Sequence, residues 1–154
     1  MFTGAIMVHG DRRWNYSFSS VKFDLPDTGL LRRPEPLSDR LQLLVLHESA
    51  LRAHRRGDVE ELLAPEVDTQ LVVTRGRITR PDRAARRERF GSYFASTKFR
   101  HYADADSPVV RVSDDGTLGW VVARVHAEGT QQGADGKPVP LDVTWGWIEL
   151  YEKR

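Results

Sequence analysis

The strongest periodicity in the chain is an alternation near its C-terminal end. Val121, Ala123, Val125 and Ala127 alternate with Trp120, Val122, Arg124, His126 and Glu128, and further on Val143, Trp145, Trp147, Glu149 and Tyr151 alternate with Thr144, Gly146, Ile148 and Leu150. A period of two belongs to a strand whose faces meet different environments. The pattern predicts two long strands, Leu118–Gln131 and Val139–Tyr151, joined by the turn Gly133-Ala134-Asp135-Gly136-Lys137-Pro138. The small set, Val121 to Ala127, suits packing against helices. Trp120, Arg124, His126, Trp145 and Trp147 call for another setting, either a pocket or a subunit contact.

Upstream the period lengthens. Leu43, Leu46, Ala50 and Ala53, widened by Leu44 and Leu51, predict a helix that starts at Ser38 or Asp39. Gln42 stands where it would close a capping box on Asp39, Arg55 and Arg56 suit the last turn, and Gly57 suits the left-handed residue beyond it. Asp58 and Glu61 begin a second, short helix that Pro65 ends. Val67–Thr74 and Arg77–Thr79 read as strands around Arg75-Gly76. A third helix over Asp82–Ser96 carries a thin apolar side of Phe90, Tyr93 and Phe94. Phe99–Ala105 and Val109–Ser113 read as strands, the latter closing at Asp114-Asp115-Gly116. Residues 1–37 form an N-terminal arm in which Trp14–Leu25 alternates as a strand would, so that it could cover an exposed sheet edge. Helices followed by a meander of strands predict an α+β domain over 38–154, with the helices on one face of an antiparallel sheet.

Composition narrows the function classes. The 154 residues suit one domain, and a formal charge of +1 gives no bulk attraction to nucleic acid or anionic membrane. Without cysteine there are no disulfides, thiolate metal sites or cysteine nucleophiles. No apolar run approaches the ~20 residues of a membrane span. The start of the chain lacks a basic region ahead of an apolar one, so a cytoplasmic location is expected.

Several stretches resemble the nuclear-transport-factor-2-like family in its SnoaL-like branch. They are Leu51-Arg-Ala-His-Arg-Arg-Gly57-Asp58-Val-Glu-Glu-Leu-Leu, then Val67-Asp-Thr-Gln-Leu-Val-Val with the returning Arg75-Gly-Arg, the helix ending at Phe90, Tyr93 and Phe94, and Trp147-Ile-Glu-Leu-Tyr-Glu-Lys-Arg154. The resemblance spans roughly 38–154. It implies a cone-shaped, bent antiparallel sheet wrapped around about three helices, with a pocket at the wide end. Family members include isomerases, dehydratases, epoxide hydrolases, polyketide cyclases and non-catalytic association modules, so the fold does not choose among them. Members commonly continue into one more strand, whereas this sequence stops at Arg154.

Candidate chemistry falls into a few clusters. In a pocket reading, His126 serves as general acid or base and Arg124 as an anion partner, with Trp120, Trp145, Trp147, Tyr93 and Tyr102 as ligand-binding walls. Asp104 beside Tyr102 offers a carboxylate base with a phenol donor. The competing reading puts Arg124, His126 and Glu128 on a solvated or interface face, and Asp104 and Asp106 at a strand end in water. His47 and His54 lie two helical turns apart, about 10.5 Å, too far to share a metal, and no cofactor or metal is expected. Seven arginines fall between Arg75 and Arg89. They read as a solvated helix face in preference to a nucleic-acid surface, because no aromatic residues interleave them to stack on bases. The expected function is a small-molecule-binding or association module that holds a small apolar or aromatic molecule as a homodimer. The alternative is a cofactor-independent isomerase, dehydratase or polyketide-cyclase-like enzyme.

Overall fold

Helix α1 (Leu37–Arg56) presents Asp39, Leu43, His47, Leu51 and His54 to the interior of the domain. The computed structural model describes residues 2–3, 37–74 and 76–153. Gly57, at φ +66°, ends α1 in the left-handed conformation. Helix α2 (Val59–Leu63) follows at once, because Asp58 Oδ1 accepts a bond of 3.0 Å from the Glu61 backbone N–H. Helix α3 (Arg83–Ser96) starts the same way, with Asp82 Oδ1 accepting from Ala85 N at 2.8 Å. Ala53, Leu62 and Phe94 bring the three helices together around one apolar cluster.

Two details differ from the sequence expectation. Asp39 sits inside the first turn of α1, and both its carboxylate oxygens accept from Lys153 Nζ at 2.9 Å, so the residue ties the helix to the last strand. The strand expected over Val67–Thr74 shrinks to β2 (Val72–Thr74), paired with β3 (Arg77–Thr79). The carbonyls of Val67 and Asp68 are taken by the Arg86 guanidinium, which occupies the place of a neighbouring strand.

The main sheet is built on a hairpin. Its strands are β1 (Phe2–Thr3), β4 (Thr97–Asp104), β5 (Val109–Val112), β6 (Leu118–Gln132) and β7 (Pro138–Lys153). β6 pairs with β7 along its whole length, while its other edge takes β5 opposite Gly119–Val122 and β4 opposite Val125–Gln131. The short β1 pairs with β7 at Glu152 and Lys153. The strand candidate Trp14–Leu25 lies outside the described residues.

Register decides which side chains share a face. Gln132 pairs with Pro138, so odd-numbered residues of β6 sit beside odd-numbered residues of β7. Val121, Ala123, Val125 and Ala127 therefore share the inner face with Trp145, Trp147, Glu149 and Tyr151, and pack with Leu43 and Leu51 of α1 in the principal core. A β-bulge between Phe99 and His101 bends β4 opposite Gly129. A Cβ at Gly129 would stand 2.0 Å from the Lys98 carbonyl oxygen, so this close approach admits only glycine. The result is an α+β cone, with helices at one side of a curved antiparallel sheet. No described helix is long and apolar enough to cross a membrane.

Candidate functional site

Between α3 and the inner face of the sheet lies a cavity of about 170 Å³. α3 contributes Arg86, Arg89, Phe90 and Tyr93, and the sheet contributes Tyr102 from β4 and Trp145 and Trp147 from β7. His54 at the end of α1, with Gln70 and Val72 after α2, completes the lining. The His54 ring stacks on Tyr102 with centroids 4.4 Å apart and planes 6° from parallel. Its Nδ1 lies 2.7 Å from the Ala50 carbonyl, so that nitrogen carries a proton and donates it. Phe99 meets Tyr102 edge-on at 4.8 Å and so braces the same wall from behind.

Arg86 is the most deeply buried charge at the pocket, 1% exposed. Its guanidinium pairs with Glu66 and donates to the Val67 carbonyl and, at 3.1 Å, to the Asp68 carbonyl. Burial pushes the Glu66 carboxyl above its ordinary value, and the positive charges of Arg86 and Arg83 pull it part of the way back. The pair fastens the segment after α2 to α3. Arg89 lies exposed at the rim, its guanidinium carbon 5.8 Å from the Phe90 ring centroid.

Behind Trp147 is a buried ion cluster. His47 Nδ1 donates to Glu149 Oε1 and Nε2 to Asp104 Oδ1, each at 2.9 Å. An ionised carboxylate only accepts, so two such bonds require both ring nitrogens to be protonated. Burial opposes that charge, but the bonds to Glu149 and Asp104 outweigh it and push the imidazole up to about 9. Glu149 also accepts from Trp147 Nε1 and from the Tyr151 hydroxyl, each at 2.7 Å. Burial disfavours its charge, yet its bonds to His47, Trp147 and Tyr151 hold the carboxyl below its ordinary value. A protonated His47 is no proton acceptor at neutral pH. The cluster's visible work is to fix the Trp147 indole in the pocket wall.

The structure brings Tyr93, Tyr102, Trp145 and Trp147 together around the cavity. Asp104 borders His47 and is not part of the lining. Trp120, Arg124 and His126 lie on the outer face, because the hairpin register puts even-numbered residues there. Arg124 pairs with Asp106 at 2.8 Å, and His126 Nε2 lies 2.9 Å from Asp142 Oδ1. Among the described residues, no group of three or more His, Asp or Glu side chains is arranged to hold a metal ion. The sequence reading weighed His47 and His54 only as a metal pair and placed Arg86 on a solvated helix face, where the structure buries it, and it gave Glu149 no role. The available signal for His47 was its position between Leu43 and Leu51 on the apolar stripe of α1, where a polar residue needs a partner.

No protein-family model matches the sequence, and no curated protein matches it significantly. Solved structures do match. A ketosteroid isomerase-like protein from Erwinia carotovora atroseptica SCRI1043 aligns at 20% identity and TM-score 0.55, over 77% of this chain and 87% of that one. A candidate polyketide cyclase from Xanthomonas campestris pv. campestris aligns at 20% identity and TM-score 0.50, over 75% and 84%. Likeness at this identity speaks to architecture alone. This chain has the nuclear-transport-factor-2-like, SnoaL-like cone fold.

Proposed function

We propose that this domain is a small-molecule-binding module whose ligand, a small apolar or aromatic compound, sits in the cavity between α3 and the β4–β7 inner face. The observation that carries this reading is a pocket of about 170 Å³ walled by aromatic rings, with its deepest charge, Arg86, already neutralised by Glu66. Binding is favoured over catalysis because the titratable cluster nearest the pocket is committed to internal bonds. The test is titration of a set of small aromatic compounds followed by tryptophan fluorescence, with Trp145 and Trp147 as reporters. Saturable changes that weaken in a Tyr93→Trp variant, which narrows the cavity, support the reading. Changes unaffected by that variant count against it.

The same proposal includes self-association through the outer face of the sheet. Leu118, Val122 and Ile148 are 42%, 39% and 42% exposed there, a row of apolar side chains that a second copy would cover. Light scattering should give twice the chain mass, and Val122→Glu should return it to the monomer value. A monomeric unaltered protein removes this part of the proposal.

A further inference from the structure

Two phenols open into the pocket with their hydrogen-bonding capacity uncommitted. Tyr93, in the last turn of α3, and Tyr102, on β4, both line the cavity, and neither hydroxyl has a hydrogen-bond partner among the described residues. Among these residues Thr97 Oγ1 is the one side-chain polar atom sealed from space without a partner. The Tyr102 hydroxyl therefore reaches open space, although the residue is only 3% exposed, and the space beside it is the cavity. Other polar groups of the wall are engaged. The Trp147 N–H donates to Glu149, Arg86 is held by Glu66 and two carbonyls, and His54 Nδ1 donates to Ala50.

Charge and size narrow what such a site would accept. Behind Trp147, two carboxylates face one imidazolium, and Arg86 is balanced by Glu66, so among the described residues no cation inside is available to replace the water an anion would lose. Arg89 is exposed at the rim, where solvent screens it. Burial pushes the Tyr93 phenol up to about 12 and the Tyr102 phenol upward as well, so both remain neutral donors at physiological pH. The volume of about 170 Å³ is close to the roughly 150 Å³ of a cavity that accommodates benzene. That favours one ring with a short substituent over a multi-ring skeleton.

We infer that this pocket, given its reading above as a small-molecule site, selects neutral one-ring aromatic compounds bearing a carbonyl oxygen, which Tyr93 and Tyr102 hold by donated hydrogen bonds, and discriminates against carboxylates. Three probes of matched shape test it: acetophenone, ethylbenzene and benzoate, titrated into the full chain and followed by ligand-observed NMR. Acetophenone should bind about fivefold more tightly than ethylbenzene, the scale of one or two net hydrogen bonds, and benzoate should bind most weakly. A Tyr93→Phe/Tyr102→Phe double variant keeps both rings and removes both donors, so it should lose the preference for acetophenone over ethylbenzene. Equal binding of acetophenone and ethylbenzene by the unaltered protein, tightest binding of benzoate, or a preference that survives the double variant each overturns the carbonyl inference and leaves the pocket reading in place. If none of the three probes binds, the pocket reading falls and the inference falls with it. The comparison among probes on the unaltered protein stands even if the double variant does not fold.

Discussion

His47 and Glu149 stand 102 positions apart and meet through a buried hydrogen bond of 2.9 Å. The bond joins the middle of α1 to the last strand, across the centre of the domain. Asp104 on the other ring nitrogen extends the link to β4.

This link makes stability depend on pH. The His47 imidazole is raised from 6.5 to about 9 in the folded protein. Its contribution is complete below about 6.5 and is lost as pH rises through about 9. The corresponding loss is about 3 kcal/mol. Glu149, held below its ordinary 4.5, contributes in the opposite sense, with stability present above that value and lost as pH falls further. Urea unfolding across this range should show the alkaline loss in the unaltered protein and a flatter profile in His47→Gln. Identical alkaline slopes in the two proteins would remove the linkage.

Glu149→Ala leaves a buried imidazolium with one carboxylate and strips the Trp147 N–H of its acceptor. The expected cost is about 3–5 kcal/mol, accompanied by a shift in tryptophan emission as Trp147 loosens. A loss below about 1 kcal/mol, the scale of an exposed pair, would show that the cluster is not acting as a buried unit.

Glycines 129 and 91 should respond in opposite directions to alanine. At Gly129 the new methyl meets the Lys98 carbonyl oxygen at 2.0 Å, so backbone must shift, at a cost of about 2 kcal/mol or more. At Gly91, inside α3, nothing lies within 4 Å, and alanine should add about 0.5–1 kcal/mol of helix stability. Melting temperatures of the two variants check the signs.

Arg86 and Glu66 should behave as one unit. Arg86→Met alone leaves Glu66 buried and removes the donor to the Val67 and Asp68 carbonyls, for about 3–5 kcal/mol. Adding Glu66→Gln should restore part of that loss, because the stranded charge is gone. A double-mutant cycle measures the coupling, and strictly additive losses would contradict it.

Local chemistry was legible in the sequence. Asp58, Gly57 and Asp82 mark helix ends through bonds and dihedrals made within a few residues, and they mark them correctly. The two long strands were legible because alternation is also local. The relation between those strands was not. Parity sorts residues within one strand, but the pairing of Gln132 with Pro138 decides that Trp145 and Trp147 face inward while Trp120, Arg124 and His126 face out. The ion cluster was hidden for the same reason, since its members come from α1, β4 and β7. Among the crowded arginines after Arg75, Arg86 is buried because α3 carries it against Glu66 and the carbonyls beyond α2.

The two walls of the pocket are held under unequal constraint. Trp147 is bonded to the charges that lock α1 to the sheet, so change there is also change in the frame of the domain. Arg89, Phe90 and Tyr93 on the facing helix take no part in that bonding. Substitutions at these three positions of α3 can therefore reshape the cavity without loosening the bond between α1 and the sheet, whereas a change at Trp147 does both.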